Sequence, residues 1–217
     1  MTDRYEGQRR ALIGIMQERG VRDLNVLRAF DTIHRHEFVP DSMRHHAYQD
    51  APVPIGFGQT ASQPSLQALY MQVLDLQPSD KVLEVGTGCG FQTAVLAQLV
   101  DRVYSVERLG ALATRAREKL DALRISNVAI LVGDGTIGWS RYAPYDAILV
   151  AAGGPEIPRP LMEQLAEGGR MLIPVGSREM QRLMLVERSG DTFAQREVLE
   201  CTFVPLLGRF GWSSDAS

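Results

Sequence analysis

Val82-Leu-Glu-Val-Gly-Thr-Gly-Cys-Gly90 is the stretch that decides how this 217-residue chain is read. It has the form of a buried strand ending in a tight glycine loop, and Gln92-Thr-Ala-Val-Leu-Ala-Gln-Leu99 then starts a helix. Glycines at 86, 88 and 90 let the backbone turn sharply and approach a ligand with no Cβ in the way. A doubly wound α/β fold makes room for a nucleotide-like cofactor at just such a first strand-to-helix crossover.

Spacing narrows the cofactor. A dinucleotide fingerprint needs G-x-G-x-x-G, whereas the glycines here run G-x-G-x-G and position 91 is Phe. Glu84 stands two residues before the first of them. The pattern acidic-x-G-x-G-x-G resembles motif I of class I S-adenosylmethionine methyltransferases.

Working outward, the chain alternates. Strands are expected at 81–85, 102–106, 128–132, 146–151 and 170–174, with helices at 91–99, 110–123 and 158–166 between them. Such alternation implies a mostly parallel sheet covered on both faces. Two further strands, near 182–188 and 196–204, flank Ser189-Gly-Asp191 and read as an antiparallel hairpin, which brings the sheet to seven strands. Upstream, Leu12, Ile15 and Met16, then Leu24, Leu27, Phe30 and Ile33, follow helical spacing and predict an N-terminal helical layer. Between Glu37 and Pro64 the periodicity disappears, and Pro40, Pro52, Pro54, Gly56, Gly58 and Pro64 punctuate a long functional-looking loop. Leu66, Leu69, Tyr70, Val73 and Leu74 resume a helix. The expected division is 1–64 for N-terminal helices and loop, 65–210 for the α/β core and 211–217 for a tail, all within one domain. Gly208–Ser217 is expected to fray, except at Trp212.

Composition bounds the partners. Hydrophobic residues make up 45% and charged residues 23%, as in an ordinary globular domain. A net charge of −3 argues against a nucleic-acid surface. No run is long and apolar enough to span a bilayer, the N-terminus shows no signal-peptide core, and Cys89 and Cys201 show no metal or disulfide spacing. A cytoplasmic protein, most simply a monomer, is the expectation.

Two further acidic residues fall at strand ends. Glu107 closes Arg102-Val-Tyr-Ser-Val-Glu107, on the strand after the glycine loop, where a carboxylate can accept hydrogen bonds from both ribose hydroxyls. Its alternative is an exposed strand-end carboxylate, or a salt bridge to Arg108. Asp134, in Gly133-Asp-Gly135, follows the third strand, where it can accept from an adenine amino group or cap the next segment.

The loop Pro54-Ile-Gly-Phe-Gly-Gln-Thr-Ala-Ser-Gln-Pro64 closely resembles the signature of the protein-L-isoaspartate O-methyltransferase family. Phe38-Val-Pro40, Val103-Tyr-Ser-Val-Glu107, Pro144-Tyr-Asp-Ala-Ile-Leu-Val150, Ile173-Pro-Val-Gly176 and Phe203-Val-Pro-Leu206 fit the same pattern, so the resemblance spans roughly residues 28–210. Ala61, Cys89 and Gly153-Gly154 depart from it while keeping small size. The resemblance implies a Rossmann-like class I fold and S-adenosylmethionine as cofactor, with S-adenosylhomocysteine as product. It implies methyl transfer to the free carboxylate of L-isoaspartyl, and of D-aspartyl, residues in damaged proteins and peptides. Cofactor contacts are then expected from Glu84, Gly86, Thr87, Gly88, Gly90, Glu107, Arg108, Asp134 and Gly135. Ser62 and Thr60 are expected at the reacting centre, and Ile55, Gly56, Ser62 and Val204 along the peptide cleft.

Ser62 has a structural alternative. Standing before Gln63-Pro64, it is also a good helix N-cap. A peptide carboxylate, with a reference pKa of about 3.3–4, is ionised at neutral pH and needs no strong base, which agrees with the lack of a histidine-centred triad. His34, His36, His45 and His46 lack metal-ligand spacing and are expected to be structural or solvent-facing, with no metal bound. A methyltransferase for another carboxylate and a non-enzymatic S-adenosylmethionine binder are the competing readings.

Overall fold

The computed structural model describes residues 4–213. Helices α1 (Glu6–Glu18) and α2 (Leu24–Thr32) form the expected N-terminal layer. Helix α2 starts at Asp23, whose carboxylate accepts from the N–H groups of Asn25 and Val26. This satisfies two donors that a helix start leaves open. Leu12, Met16, Val26, Leu27 and Phe30 are buried in one cluster with Val82, Val95, Leu149 and Phe203. The N-terminal segment therefore shares the main core, and position 64 is no domain boundary.

The punctuated stretch after Glu37 is more ordered than its sequence suggests. It holds a 3-10 segment at Asp41–His46 and a small antiparallel hairpin, β1 (Val53–Gly56) and β2 (Gln59–Ala61). Strands of four and three residues are too short to display alternation. At the hairpin tip Gly56, Phe57 and Gly58 all adopt positive φ, a conformation for which the two glycines carry little steric cost.

Helix α3 (Pro64–Val73) leads into β3 (Lys81–Val85), α4 (Phe91–Ala97), β4 (Arg102–Glu107), α5 (Gly110–Ala122) and β5 (Val128–Val132). The chain continues through β6 (Tyr145–Val150), α6 (Arg159–Glu163), β7 (Leu165–Gly176), β8 (Gln181–Ser189) and β9 (Thr192–Cys201). The strands lie in the order β5-β4-β3-β6-β7-β8-β9. From β5 to β7 all neighbours are parallel, while β8 and β9 are antiparallel additions. Strand β3 sits where the winding reverses, with β4 on one side and β6 on the other, so the crevice at its C-terminal end is where a ligand is expected.

Three boundaries differ from the sequence reading. Helix α6 stops at Glu163 because Leu165 already pairs with Tyr145, and Gly168 at φ 71° then carries a bulge before Arg170 pairs with Ala147. Strand β9 starts directly after the Gly190 turn and ends at Cys201, three residues early. Residues 202–207 thereby leave the sheet edge and cross back over the ends of β3 and β6, where Gly153 N–H donates to the Val204 carbonyl at 2.8 Å. The tail is docked rather than frayed up to residue 213: Trp212 Nε1 donates to the Gly153 carbonyl at 3.0 Å and its backbone N–H to Leu206. Residues 214–217 lie outside those described.

Candidate active site

The crevice beyond β3 is a half-open cavity spanning about 850 Å³, the solvent space at its mouth included. Its floor is the glycine loop, Gly86, Thr87 and Gly88, together with Val85 and Ala151 at the ends of β3 and β6. Gly86 and Gly88 have positive φ, and a Cβ on Gly88 would come within 3.3 Å of Ile55 Cδ1 in the overlying hairpin. The hairpin is thus a roof: Ile55, Thr60 and Ala61 line the cavity from above.

Glu107 lies at the end of β4, lines this cavity and is 7% exposed. One carboxylate oxygen accepts from the Gly88 N–H at 2.9 Å, the other from the Leu109 N–H at 2.9 Å. The same glycine loop that opens the cavity thereby fixes the acid at its wall. The alternative, a salt bridge to Arg108, is absent among the described residues; Arg108 itself lines the cavity, as do Thr87 and Gly135. Gly135 is required sterically, because a Cβ there would lie 2.3 Å from Val85 Cγ1.

Three expected cofactor contacts take other positions. Glu84 is fully buried and does not line the cavity. It accepts from Gln92 Nε2 at 3.0 Å, from Ser105 Oγ at 2.6 Å and from the Thr93 hydroxyl, fastening α4 to β4 beneath the glycine loop. Burial pushes its pKa up to about 7, partly opposed by those three hydrogen bonds. Gly90 faces α5 instead of the cavity, with its Cβ direction 3.0 Å from Ala116 Cβ, so its role is close helix packing. Asp134 stands behind Gly135. One of its oxygens accepts from the Thr136 N–H and hydroxyl, the other from the Arg209 N–H at 2.7 Å. Partial burial alone would raise its pKa, but the Arg209 and Thr136 hydrogen bonds outweigh that and hold it below the ordinary carboxylate value.

A second, wider groove adjoins the cavity on the far side of the loop. It runs between α3 and the end of β9, past Arg19, Leu66, Leu69, Glu200 and Phe203. Four residues line both spaces: Thr60, Ser62, Ala151 and Val204. Ser62 is not the cap of α3. That position belongs to Gln63, and the Ser65 N–H is taken instead by Asp50 at 2.9 Å. Asp50 also accepts from Ser65 Oγ and Gln63 Nε2, and pairs with Arg19 at 2.9 Å. A carboxylate fifteen residues upstream thus does the capping, and leaves Ser62 at the junction.

Two expected peptide contacts shift. Ile55 lines the cavity and not the groove, and Gly56 lines neither. The sequence reading missed Ala151, although its place directly after β6 beside the switch point was a usable signal. It also missed the groove wall at 199–203, because the last strand was drawn three residues too long. His34, His36 and Glu37 bring ligand atoms within 4.8 Å of one another, with His36 Nδ1 bound to Tyr48 Oη at 2.8 Å. This group lies outside both spaces.

Glycine loop, strand-end acid and apolar walls fit an adenosine-bearing cofactor in polarity. Fold and site together define a class I S-adenosylmethionine-dependent methyltransferase. The family model of protein-L-isoaspartate(D-aspartate) O-methyltransferase matches residues 7–211, and the chain belongs to that family. A protein-L-isoaspartate O-methyltransferase of Syntrophus aciditrophicus is 48% identical over 217 residues, covering 98% of this chain and all of its own. One of Dictyoglomus thermophilum is 45% identical, over 97% of this chain and 96% of its own. Among solved structures, a protein-L-isoaspartate O-methyltransferase superposes with a TM-score of 0.84 at 33% identity, over 94% of this chain and 67% of that one. A putative Plasmodium falciparum family member in complex with S-adenosyl-L-homocysteine gives 0.79 at 25% identity, over 91% and 97%.

Proposed function

We propose that this chain methylates the free carboxylate of L-isoaspartyl, and of D-aspartyl, residues in damaged peptides and proteins, with the cavity holding S-adenosylmethionine and the groove holding the peptide. The observation that carries this reading is the junction: two spaces of different character meet at Thr60, Ser62, Ala151 and Val204. Bound in the cavity, the cofactor supplies a methyl group on a positively charged sulfur, and transfer to a carboxylate leaves S-adenosylhomocysteine.

The residues then have separable tasks. Glu107, held by two backbone N–H groups, accepts from the ribose hydroxyls. Asp134, outside the cavity with its oxygens accepting from Thr136 and from the Arg209 N–H, caps the Gly135 turn at the cavity wall. Ser62 Oγ donates a hydrogen bond that orients the substrate carboxylate, with Thr60 beside it. Val204, Ala151 and the hairpin exclude water from the junction, where attraction between carboxylate and sulfonium is stronger than in bulk solvent. Alignment of nucleophile and methyl carbon supplies most of the rate, since the nucleophile is already ionised. Methylation turns the carboxylate into a better leaving group for succinimide formation, the opening step of repair. The acidic charge balance and the free cysteines Cys89 and Cys201 fit a cytoplasmic monomer that handles peptides and not nucleic acid.

A matched peptide pair tests the reading. Transfer of labelled methyl to an isoaspartyl peptide and not to its aspartyl twin is expected. Transfer to neither, or to both equally, contradicts it.

A further inference from the structure

Arg35 is wholly buried, yet its hydrogen-bond partners among the described residues are all carbonyl oxygens. Nη1 donates to Ala47 at 2.9 Å and Gln49 at 3.5 Å; Nη2 donates to Ser62 at 2.9 Å and Ala61 at 3.4 Å. Burying a guanidinium without a carboxylate in contact is costly, and an apolar side chain would fill the same space with less penalty. Burial indeed pushes its pKa down to about 10. Packing therefore does not explain the choice of residue. What an apolar side chain cannot supply is the planar fork, which reaches two separate chain segments at once.

The other side of the guanidinium faces the cofactor half of the site. Its carbon lies 5.7 Å from the centroid of the Phe91 ring. Phe91 opens α4 at the end of the glycine loop and lines the cavity, and Phe30 and Phe38 hold its ring edge-on. Arg35 thus touches the carbonyl of the residue at the junction and a residue of the cofactor wall. We infer that Arg35 is a positioning residue that sets the separation between the Ser62 loop and the cofactor cavity, and so the alignment of carboxylate and methyl group.

This inference rests on the reading of Ser62 as the carboxylate-orienting group. Misplacement of about 1 Å remote from the chemistry can cost on the order of 10²-fold in rate. Arg35→Lys keeps the charge and loses the fork. With rates expressed per S-adenosylhomocysteine-binding site, so that unfolded material drops out, Arg35→Lys should lower kcat on an isoaspartyl peptide by about 10- to 100-fold. Affinity for S-adenosylhomocysteine should stay within about threefold, and KM for the peptide should move less than kcat. In a Ser62→Ala background the same substitution should cost under about threefold, because both changes act on one alignment. Arg35→Gln, which retains two donors, replaces Arg35→Lys if the latter does not fold. Three results would overturn the inference: an unchanged kcat per site, a cofactor affinity that falls as far as kcat, or equal losses in both backgrounds. The parent enzyme in the same assay separates the two claims, since absence of any transfer to the isoaspartyl peptide sinks the function itself and not the role of Arg35.

Discussion

The two halves of the site are built by different means. The cofactor half, from β3 to β5, rests on parallel strands and on glycines whose conformations the backbone itself imposes; its one side chain aimed at the ligand, Glu107, is clamped by backbone N–H groups. In the substrate half, residues 47–64 and 199–207, the only regular structure is the short hairpin and the ends of α3 and β9. Isolated polar side chains hold it: Asp50 caps α3 from a distance, and Arg35 ties residues 47, 49, 61 and 62 together. A half built on backbone geometry serves any S-adenosylmethionine reaction. On the proposed function, the half built on single side chains is where the substrate is chosen.

Glu107→Ala is expected to break the cofactor half most severely. It removes both oxygens proposed to accept from the ribose and leaves the Gly88 and Leu109 N–H groups without their carboxylate. Hydrogen bonds to charged groups contribute about 1.5–3 kcal/mol each, so affinity for S-adenosylhomocysteine should fall by about 100-fold or more in calorimetry. A loss under tenfold would mean that Glu107 is a strut for the loop and not a ligand.

Gly135→Ala probes the same half through sterics. A Cβ 2.3 Å from Val85 Cγ1 must displace the Val85 side chain or the turn itself, and overpacking of this kind costs about 1–3 kcal/mol. Thermal unfolding should show a Tm lowered by several degrees, with cofactor affinity reduced in parallel. An unchanged Tm would show that the floor of the cavity yields more easily than its packing implies.

Glu84→Gln should act chiefly on the pH dependence of stability. The carboxyl has an ordinary value near 4.5 and is raised to about 7 by burial in the fold. The folded protein therefore binds the proton more tightly than the unfolded chain, so this group's contribution is fully present below pH 4.5 and is lost as pH rises through 7. The parent should lose more stability between pH 5.5 and pH 8 than Glu84→Gln does in paired melts. Identical slopes would remove Glu84 as the source.

How much was legible follows the same division. Val82–Gly90, the strand-end position of Glu107 and the alternation of elements come from local pattern, and the structure keeps them all. The five parallel strands were readable as short apolar runs between helices, and the two antiparallel ones from the turn at Ser189-Gly-Asp191. What escaped was set by contacts distant in sequence. Glu84 looked like a ligand because its spacing from Gly86 is local, whereas the donors from Gln92, Thr93 and Ser105 that enclose it come from α4 and β4. Ser62 looked like a helix cap because Asp50, which removes that duty, caps Ser65 from fifteen residues upstream in a stretch without periodicity. Arg35 carried no signal at all: one arginine beside histidines does not reveal that its side chain points inward.

The central claim is that the halves meet, and divide their labour, at Ser62. Ser62→Ala tests it directly, through S-adenosylhomocysteine affinity and methyl transfer to an isoaspartyl peptide measured on the same protein. The account predicts affinity within about twofold of the parent and transfer slowed by about tenfold or more, as expected for loss of one hydrogen bond to a charged group. Affinity and Tm falling in proportion to transfer would contradict it, and would return Ser62 to a purely structural place at the head of α3.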